Sequence, residues 1–282
     1  MADNFSDQML LCEAALRCEA RVAIITGASS GIGQQLAYQL ADQGARLSLA
    51  ARSVDRLNAV AVECERRGGK AIAVPTDVAD EAQCRRLVER TIEAYNRIDM
   101  LVNNAGFSVR ARFEALPDLR GFEEVMAVNF MGAVYCTYYA LPHLKESRGR
   151  IVAVSSLAGR VALPLNTAYG ASKHAMAGFF DTLRVELMGA GVSVTMVYPD
   201  FVVSGFVAHT RRASGELIGE EAANKFYTDK MMTADACARI ILRGAAARRR
   251  EVTTSGRGKL VGWLKLIAPG LLDRVVQRAF SG

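Results

Sequence analysis

Tyr169 and Lys173 stand four residues apart in the run Thr167-Ala168-Tyr169-Gly170-Ala171-Ser172-Lys173, and Ser156 lies thirteen residues before the tyrosine. On a helix, side chains at i and i+4 share a face. The ammonium would then sit beside the phenol, favour the phenolate and draw its pKa down from near 10 toward the range useful for proton transfer at neutral pH. Such a tyrosine is a general acid or base. Tyr-x-x-x-Lys also occurs on ordinary surface helix turns, so the pair gains meaning only from what the rest of the chain brings to it.

Apolar runs alternate with helical patterns along most of the sequence. Strands are expected at 21–26, 46–51, 70–75, 99–103, 150–155 and 192–198, and helices at 31–43, 53–67, 80–95, 119–147 and 167–188. Strands alternating with helices of this length imply βαβ units, hence a parallel sheet with right-handed crossovers. Apolar segments such as Val22-Ala23-Ile24-Ile25 suit burial on both faces. The regularity stops after Pro199, and about thirty residues rich in glycine and charge lead to a further helix at 233–247 and a short strand at 251–254. An irregular loop of that length in a compact domain is usually functional, often a lid.

A chain of 282 residues, 51% hydrophobic and 23% charged, can bury a full core and reads as one large α/β domain. No stretch has the length and apolarity of a transmembrane helix, and Asp3, Asp7, Glu13 and Glu19 argue against a signal peptide, so a cytoplasmic location is expected. Six scattered cysteines fit free thiols in a reduced compartment better than a disulfide framework, and Cys12 and Cys18 receive no role. His143, His174 and His209 are too dispersed for a metal site, and no metal is expected. The net charge of +6 is uneven. Residues 239–282 hold 10 basic and 2 acidic side chains, whereas the preceding 238 hold 25 and 27, so the basic character belongs to the tail. Nucleic acid is not an expected partner.

Directly after the first strand comes Thr26-Gly27-Ala28-Ser29-Ser30-Gly31-Ile32-Gly33. Glycines where a strand turns into a helix permit a tight turn and a close approach of backbone to a pyrophosphate, which meets the positive end of the helix dipole. In a first βαβ unit this is the Rossmann fingerprint. At the end of the second strand stands Ala50-Ala51-Arg52-Ser53. A carboxylate here would bond the adenosine 2′-hydroxyl of NAD. Arg52 suits the 2′-phosphate of NADP, and Ala51 offers nothing to the hydroxyl. An exposed arginine closing a strand is the competing interpretation.

With the glycine turn, Asn103-Asn104-Ala105-Gly106 after the fourth strand, Ser156, and Tyr169 to Lys173 in this order, the chain resembles the short-chain dehydrogenase/reductase family over about residues 21–204. The local sequence looks most like the branch of hydroxysteroid dehydrogenases and related membrane-associated reductases. The resemblance implies a doubly wound parallel sheet in a single domain (21–254, with a substrate loop at about 199–232), preceded by an extension at 1–20 and followed by an amphipathic helical extension at 255–282. It makes Tyr169 the acid in carbonyl reduction and the base in alcohol oxidation, Lys173 the ribose ligand that lowers the tyrosine pKa, and Ser156 the donor to the substrate oxygen. Asn129 matches an asparagine that helps position a water beside the lysine. The implied cofactor contacts are Thr26, Gly27, Ser29, Ser30, Gly31, Ile32, Gly33, Arg52, Asp77, Val78, Asn104, Ala105, Gly106, Tyr169, Lys173, Pro199, Val202 and Ser204. Asp77 with Val78 matches the adenine contact, and Asn103 supports the central strand. The resemblance also implies a homo-oligomer.

Three departures stand out. Ser30 occupies a position often basic in NADP enzymes of the family, which leaves Arg52 as the main 2′-phosphate ligand. The usual Pro-Gly after the sixth strand is Pro199-Asp200, which puts a carboxylate near the nicotinamide end. The threonine expected five residues after the proline is Ser204, which keeps the hydroxyl for the carboxamide. Phe201, Phe206, Val207, Leu217, Ile218, Phe226 and Tyr227 offer apolar cover suited to a lipophilic substrate, though packing onto the domain explains them equally. Arg110 and Arg112 follow near the substrate mouth and read as solvated surface arginines. In the tail, Leu260, Trp263, Leu264 and Ile267 form an apolar stripe at helical spacing, Pro269-Gly270 breaks the helix, and a second amphipathic segment runs from Leu271 to Phe280. A basic amphipathic pair with a tryptophan suits a membrane surface through 257–280; packing on the domain or on a second subunit suits it as well. The expected activity is hydride transfer between NADP(H) and a carbonyl or alcohol, against the alternative of a non-catalytic nucleotide-binding sensor or scaffold on the same fold.

Overall fold

The protein, seen in a computed structural model, is described over residues 22–228 and 231–280. The extension at 1–20, Cys12, Cys18 and the expected strand residue Arg21 lie outside these. Val22–Thr26, rich in β-branched residues and buried at every position, forms β1. It is followed by α1 (Gly31–Ala41), β2 (Arg46–Ala51), α2 (Val54–Arg66), β3 (Lys70–Pro75), α3 (Glu81–Tyr95) and β4 (Met100–Asn103). Asp80 starts α3 by accepting from the Gln83 amide, and Asn96 ends it in the left-handed conformation.

The helical region expected at 119–147 is one path with a defect in it. Arg120–Met126 (α4) and Gly132–Ser147 (α5) are joined by a π-helical turn, Ala127–Met131. Then come β5 (Arg150–Val154), α6 (Thr167–Glu186), β6 (Ser193–Tyr198), α7 (Glu220–Phe226), α8 (Ala234–Ala246) and β7 (Glu251–Thr253). The irregular region after Pro199 is not bare loop. Besides α7, Val202–Val203 pairs in parallel with Met232–Thr233, and Val109–Arg110 with Arg211–Arg212.

Seven parallel strands lie in the order β7-β6-β5-β4-β1-β2-β3. The chain runs outward from β1 to β3, returns to pair β4 against β1, and then runs outward the other way. The crossover leaves a crevice beyond the carboxyl ends of β1 and β4, where open α/β sheets bind ligands. One core layer joins the sheet to α1, α2 and α8; the other joins it to α3, α5 and α6. The four cysteines among the described residues, Cys64, Cys84, Cys136 and Cys237, are buried free thiols.

The tail forms α9 (Gly256–Ile267) and α10 (Pro269–Phe280). The break falls at Ala268, and Pro269 opens the second helix rather than ending the first, because proline lacks only an amide that a first helical residue does not use. Among the described residues, no helix is long and apolar enough to cross a membrane.

Candidate active site

The glycine turn is tight enough to exclude side chains. Gly27 and Gly31 have φ of +66° and +57°; a Cβ on Gly31 would meet the Ser204 carbonyl oxygen at 2.5 Å, and one on Gly33 the Gly27 carbonyl oxygen at 2.3 Å. Thr26 fastens the turn to the next strand, accepting at Oγ1 from the amides of Asn104 (2.9 Å) and Ala105 (3.1 Å). Asn104 Nδ2 in turn donates to the Thr26 carbonyl at 3.0 Å.

The result is a cleft of about 420 Å³ whose lining brings together Gly27, Ser29, Ser30, Gly31, Ile32, Arg52, Asp77, Val78, Asn104, Ala105 and Gly106. Thr26 and Gly33 do not line it. Thr26 is a buried clamp, and Gly33 is needed where helix meets turn. Arg56, His209 and Arg211 line the cleft unannounced. Arg56 stands one helical turn beyond Arg52 and donates to Ser53 Oγ at 3.1 Å, so two guanidiniums flank the end of β2; the repeat Arg52-Ser53-Val54-Asp55-Arg56 was the available signal. A groove walled by bare backbone, with exposed cations at one end, fits a phosphorylated dinucleotide.

A second pocket, of about 180 Å³, adjoins the first and is lined by Ser156, Tyr169, Lys173, Pro199, Val202 and Ser204 among others. α6 sets the pair that began the argument. Ala168, Ser172, Met176 and Phe180, spaced by four, bury one stripe of the helix, which turns Tyr169 to the pocket and takes Lys173 inward. Ser156 faces Tyr169 from the end of β5, where its Oγ accepts from the Ala158 amide at 3.2 Å and starts a short 3₁₀ turn.

The expected depression of the tyrosine does not occur. Burial pushes the Tyr169 phenol up to about 12, against a hydrogen bond with Ser156 that acts to lower it. The lysine is buried too, and burial brings it down to about 7. Its Nζ donates to the Val154 carbonyl at 2.8 Å and stands 5.7 Å from the tyrosine ring centroid. A cation that is itself half-discharged cannot outweigh desolvation of its neighbour.

Asn129 sits in the π-helical turn, a kind of defect frequent at functional sites. Both hydrogens of its amide are engaged, with the Phe107 carbonyl (3.0 Å) and Ser172 Oγ (3.0 Å), while its Oδ1 accepts from the Phe107 amide. Its side chain therefore ties the Asn-Ala-Gly turn to α6 and lines neither pocket. Asn103 donates to Thr137 Oγ1 at 2.9 Å and leaves its own Oδ1 buried without a partner.

A family profile described as short chain dehydrogenase matches residues 21–215. The chain is a short-chain dehydrogenase/reductase. Within the family it falls in the hydroxysteroid dehydrogenase-like branch: it is 37% identical to an 11-beta-hydroxysteroid dehydrogenase of Pinus massoniana, over 93% of this chain and 76% of that one. It is also 39% identical to 11-beta-hydroxysteroid dehydrogenase 1A of Arabidopsis thaliana, over 90% and 73%. Among solved structures, a short-chain dehydrogenase/reductase of Burkholderia phymatum in complex with NAD superposes with a TM-score of 0.80 at 26% identity, covering 89% of this chain and 95% of that one. An alcohol dehydrogenase of Thermococcus sibiricus complexed with 5-hydroxy-NADP superposes at 0.70, also at 26% identity, covering 83% and 95%.

The substrate side of this short-chain dehydrogenase/reductase departs from its sequence reading in two places. Asp200, where a glycine is usual, does not face the pocket free. Its carboxylate accepts from Arg257 (Nη2 2.6 Å, Nε 3.1 Å), from Ser255 Oγ (2.7 Å) and from the Phe201 amide (2.9 Å). Burial acts to raise this carboxyl, but Arg257 and Ser255 together hold it below its usual range. Arg257 also stacks over Phe201, which meets Phe226 edge to face, so the first turn of α9 braces the pocket wall. Arg110 is half-buried and lines the pocket, whereas Arg112 is exposed as expected. Phe201, Phe206, Val207, Ile218 and Phe226 line the pocket; Leu217 lines the glycine-walled cleft, and Tyr227, in neither lining, meets Phe226 edge to face.

Proposed function

We propose that this protein is an NADP(H)-dependent oxidoreductase that moves a hydride between the nicotinamide and the carbonyl or secondary alcohol carbon of a lipophilic substrate, with Tyr169 as general acid and base. The observation that carries it is the juxtaposition of Ser156, Tyr169 and Lys173 in one pocket that opens onto the glycine-walled cleft. A bound nicotinamide dinucleotide supplies the hydride. In reduction, Tyr169 gives its proton to the substrate oxygen while the Ser156 hydroxyl donates to that oxygen and stabilises the charge developing there. At neutral pH this phenol is in its protonated form, the form that reduction requires, and a cation at Lys173 would ease its release of the proton. Lys173 lies near its own midpoint, so acceptors brought to Nζ favour the ammonium, and the ammonium favours the phenolate needed for alcohol oxidation.

NADP is proposed over NAD because Arg52 and Arg56 flank the end of β2, where Ala51 has no carboxylate to bond a 2′-hydroxyl. Asp77 and Val78 border the adenine end, and Asn104 to Gly106 and Ser204 the nicotinamide end. The apolar lining of the pocket and the names of the hydroxysteroid dehydrogenase relatives support a lipophilic alcohol or ketone. The proposal includes a cytoplasmic homo-oligomer that touches membrane through the tail, whose Leu260, Trp263, Leu266, Ile267, Leu271 and Val275 are exposed beside Lys259, Lys265 and Arg274.

Purified protein with NADPH and a panel of aliphatic, aromatic and steroidal ketones tests the activity. Turnover is expected for at least one class, and Tyr169→Phe should lower kcat by roughly 10²–10⁴-fold while leaving NADPH affinity within about twofold. Nucleotide binding without turnover across the panel would support a nucleotide-binding sensor instead.

A further inference from the structure

The pocket that holds Tyr169 and Ser156 contains one charge that the proposed reaction does not use. Arg110 lines it, half-buried, among Leu163, Phe201, Phe206, Val207, Ile218 and Phe226. A guanidinium is a planar fork of donors with no acceptor of its own. Among the described residues no carboxylate, carbonyl or ring partners it, although its neighbours in sequence and space are paired: Arg211 binds Glu124 and stacks on Phe107, and Arg112 lies 3.8 Å from Glu114.

The remaining charged groups in the lining do not neutralise it. Lys173 is a cation or neutral, and Asp200 is the single carboxylate among the described lining residues. The Asp200 oxygens accept from Arg257, Ser255 and the Phe201 amide, so they are committed to the tail. A half-buried arginine in a largely apolar wall, with no internal anion among the described residues, is open to an anion that arrives from outside.

We propose that the substrate of this enzyme carries a carboxylate and that Arg110 binds it, which makes the lipophilic carbonyl compound an oxo acid or its hydroxy acid counterpart. This rests on the oxidoreductase reading and narrows it. A single guanidinium matches a carboxylate in charge and in its two-pronged hydrogen-bonding geometry. The volume of about 180 Å³ lies below the range of roughly 300–1,000 Å³ typical of drug-sized ligands, and so favours a compact chain or single ring over a fused tetracycle. Arg110 is a binding residue here. It holds the substrate's carboxylate, and the proton and hydride steps stay with Tyr169 and the nicotinamide.

The experiment compares straight-chain oxo acids of four to ten carbons with their methyl esters, using NADPH and the full-length protein. In the wild type the acid should exceed its ester in kcat/KM by about thirtyfold, mainly through KM, a factor in keeping with a charge-assisted hydrogen bond. Arg110→Met, close in volume and neutral, should collapse that preference to about twofold, and Arg110→Lys should restore part of it. Equal rates for acid and ester in the wild type, or equal losses for both in Arg110→Met, would overturn the assignment. Calorimetric titration with hexanoate and hexanamide provides a second readout that needs no turnover. Binding of hexanoate that disappears in Arg110→Met while the variant keeps its thermal midpoint supports the anion site even if no ketone is reduced, in which case only the oxidoreductase reading fails. Binding of neither compound to the wild type, or of both equally, would overturn the anion site.

Discussion

The buried lysine makes a prediction about stability that can be worked through in numbers. Lys173 is 3% exposed, and burial lowers its pKa from an ordinary 10.5 to about 7. The sign follows from proton counts. Above pH 7 the folded lysine is neutral while the unfolded chain still binds its proton up to about pH 10.5, so the unfolded state holds the extra proton and stability rises with pH. The slope approaches about 1.4 kcal/mol per pH unit, the value of one proton. Between pH 7 and 9 the nucleotide-free protein should gain about 2 kcal/mol from this residue, and between pH 5 and 7 about 0.4 kcal/mol.

Urea unfolding of the wild type and of Lys173→Met at pH 5, 7 and 9 reads this directly. Replacing the ammonium by a thioether leaves the Val154 carbonyl without that donor, which offsets the variant at every pH. The difference between the two proteins is therefore the quantity to follow. It also removes the buried thiols, whose raised pKa values act with the opposite sign in both. With an m-value near 3 kcal/mol/M, the wild-type midpoint should climb by about 0.7 M relative to the variant from pH 7 to 9. Parallel pH profiles would mean that the folded lysine keeps its charge, and the argument that it starts half-discharged beside Tyr169 would fall.

Three further outcomes follow from particular contacts. Arg52→Ala should weaken NADPH by about tenfold and NADH by less than about twofold, measured by nucleotide fluorescence titration, because an exposed guanidinium on a phosphate contributes one charge-assisted bond; equal losses would remove the 2′-phosphate argument. Gly31→Ala forces a Cβ to within 2.5 Å of the Ser204 carbonyl at a φ of +57°, and should lower unfolding free energy by about 1–3 kcal/mol together with NADPH affinity. An unchanged urea midpoint would contradict the tight fit. Leu266→Glu combined with Ile267→Glu, which spares Arg257, should abolish co-sedimentation with anionic liposomes and the blue shift of Trp263, the single tryptophan of the chain; retained binding would assign that face to another contact.

How much of this was legible in the sequence depends on whether the deciding interaction is local. The strands were, because Val22 to Thr26, Arg46 to Ala51 and Lys70 to Pro75 are apolar or β-branched runs bounded by glycines and charges. The tight glycine turn was, because its glycines act within eight residues of one another. In the tail, periodicity alone assigned Leu264 to the same stripe as Leu260 and Trp263, yet Leu264 is half-buried and Leu266 takes the exposed place, since packing on the body selects the face.

Where two distant segments must meet, local pattern gives no purchase. Nothing near Pro199-Asp200 announces Arg257, 57 residues on, yet that pairing turns an apparent pocket carboxylate into a brace between α9 and Phe201. The consequence reaches Arg110. Were Asp200 free, its charge would offset that of Arg110 in the same pocket lining, and the case for an outside anion would weaken. The glycine-to-aspartate departure and Arg110, unpartnered among the described residues, are thus linked: the tail, by taking the carboxylate, leaves the positive charge of Arg110 in the described lining without a counter-ion. On this argument, Arg257→Ala should release Asp200 to compete for Arg110 and raise KM for an oxo acid more than for its ester, a coupling that a tail serving only as a lipid anchor would not produce.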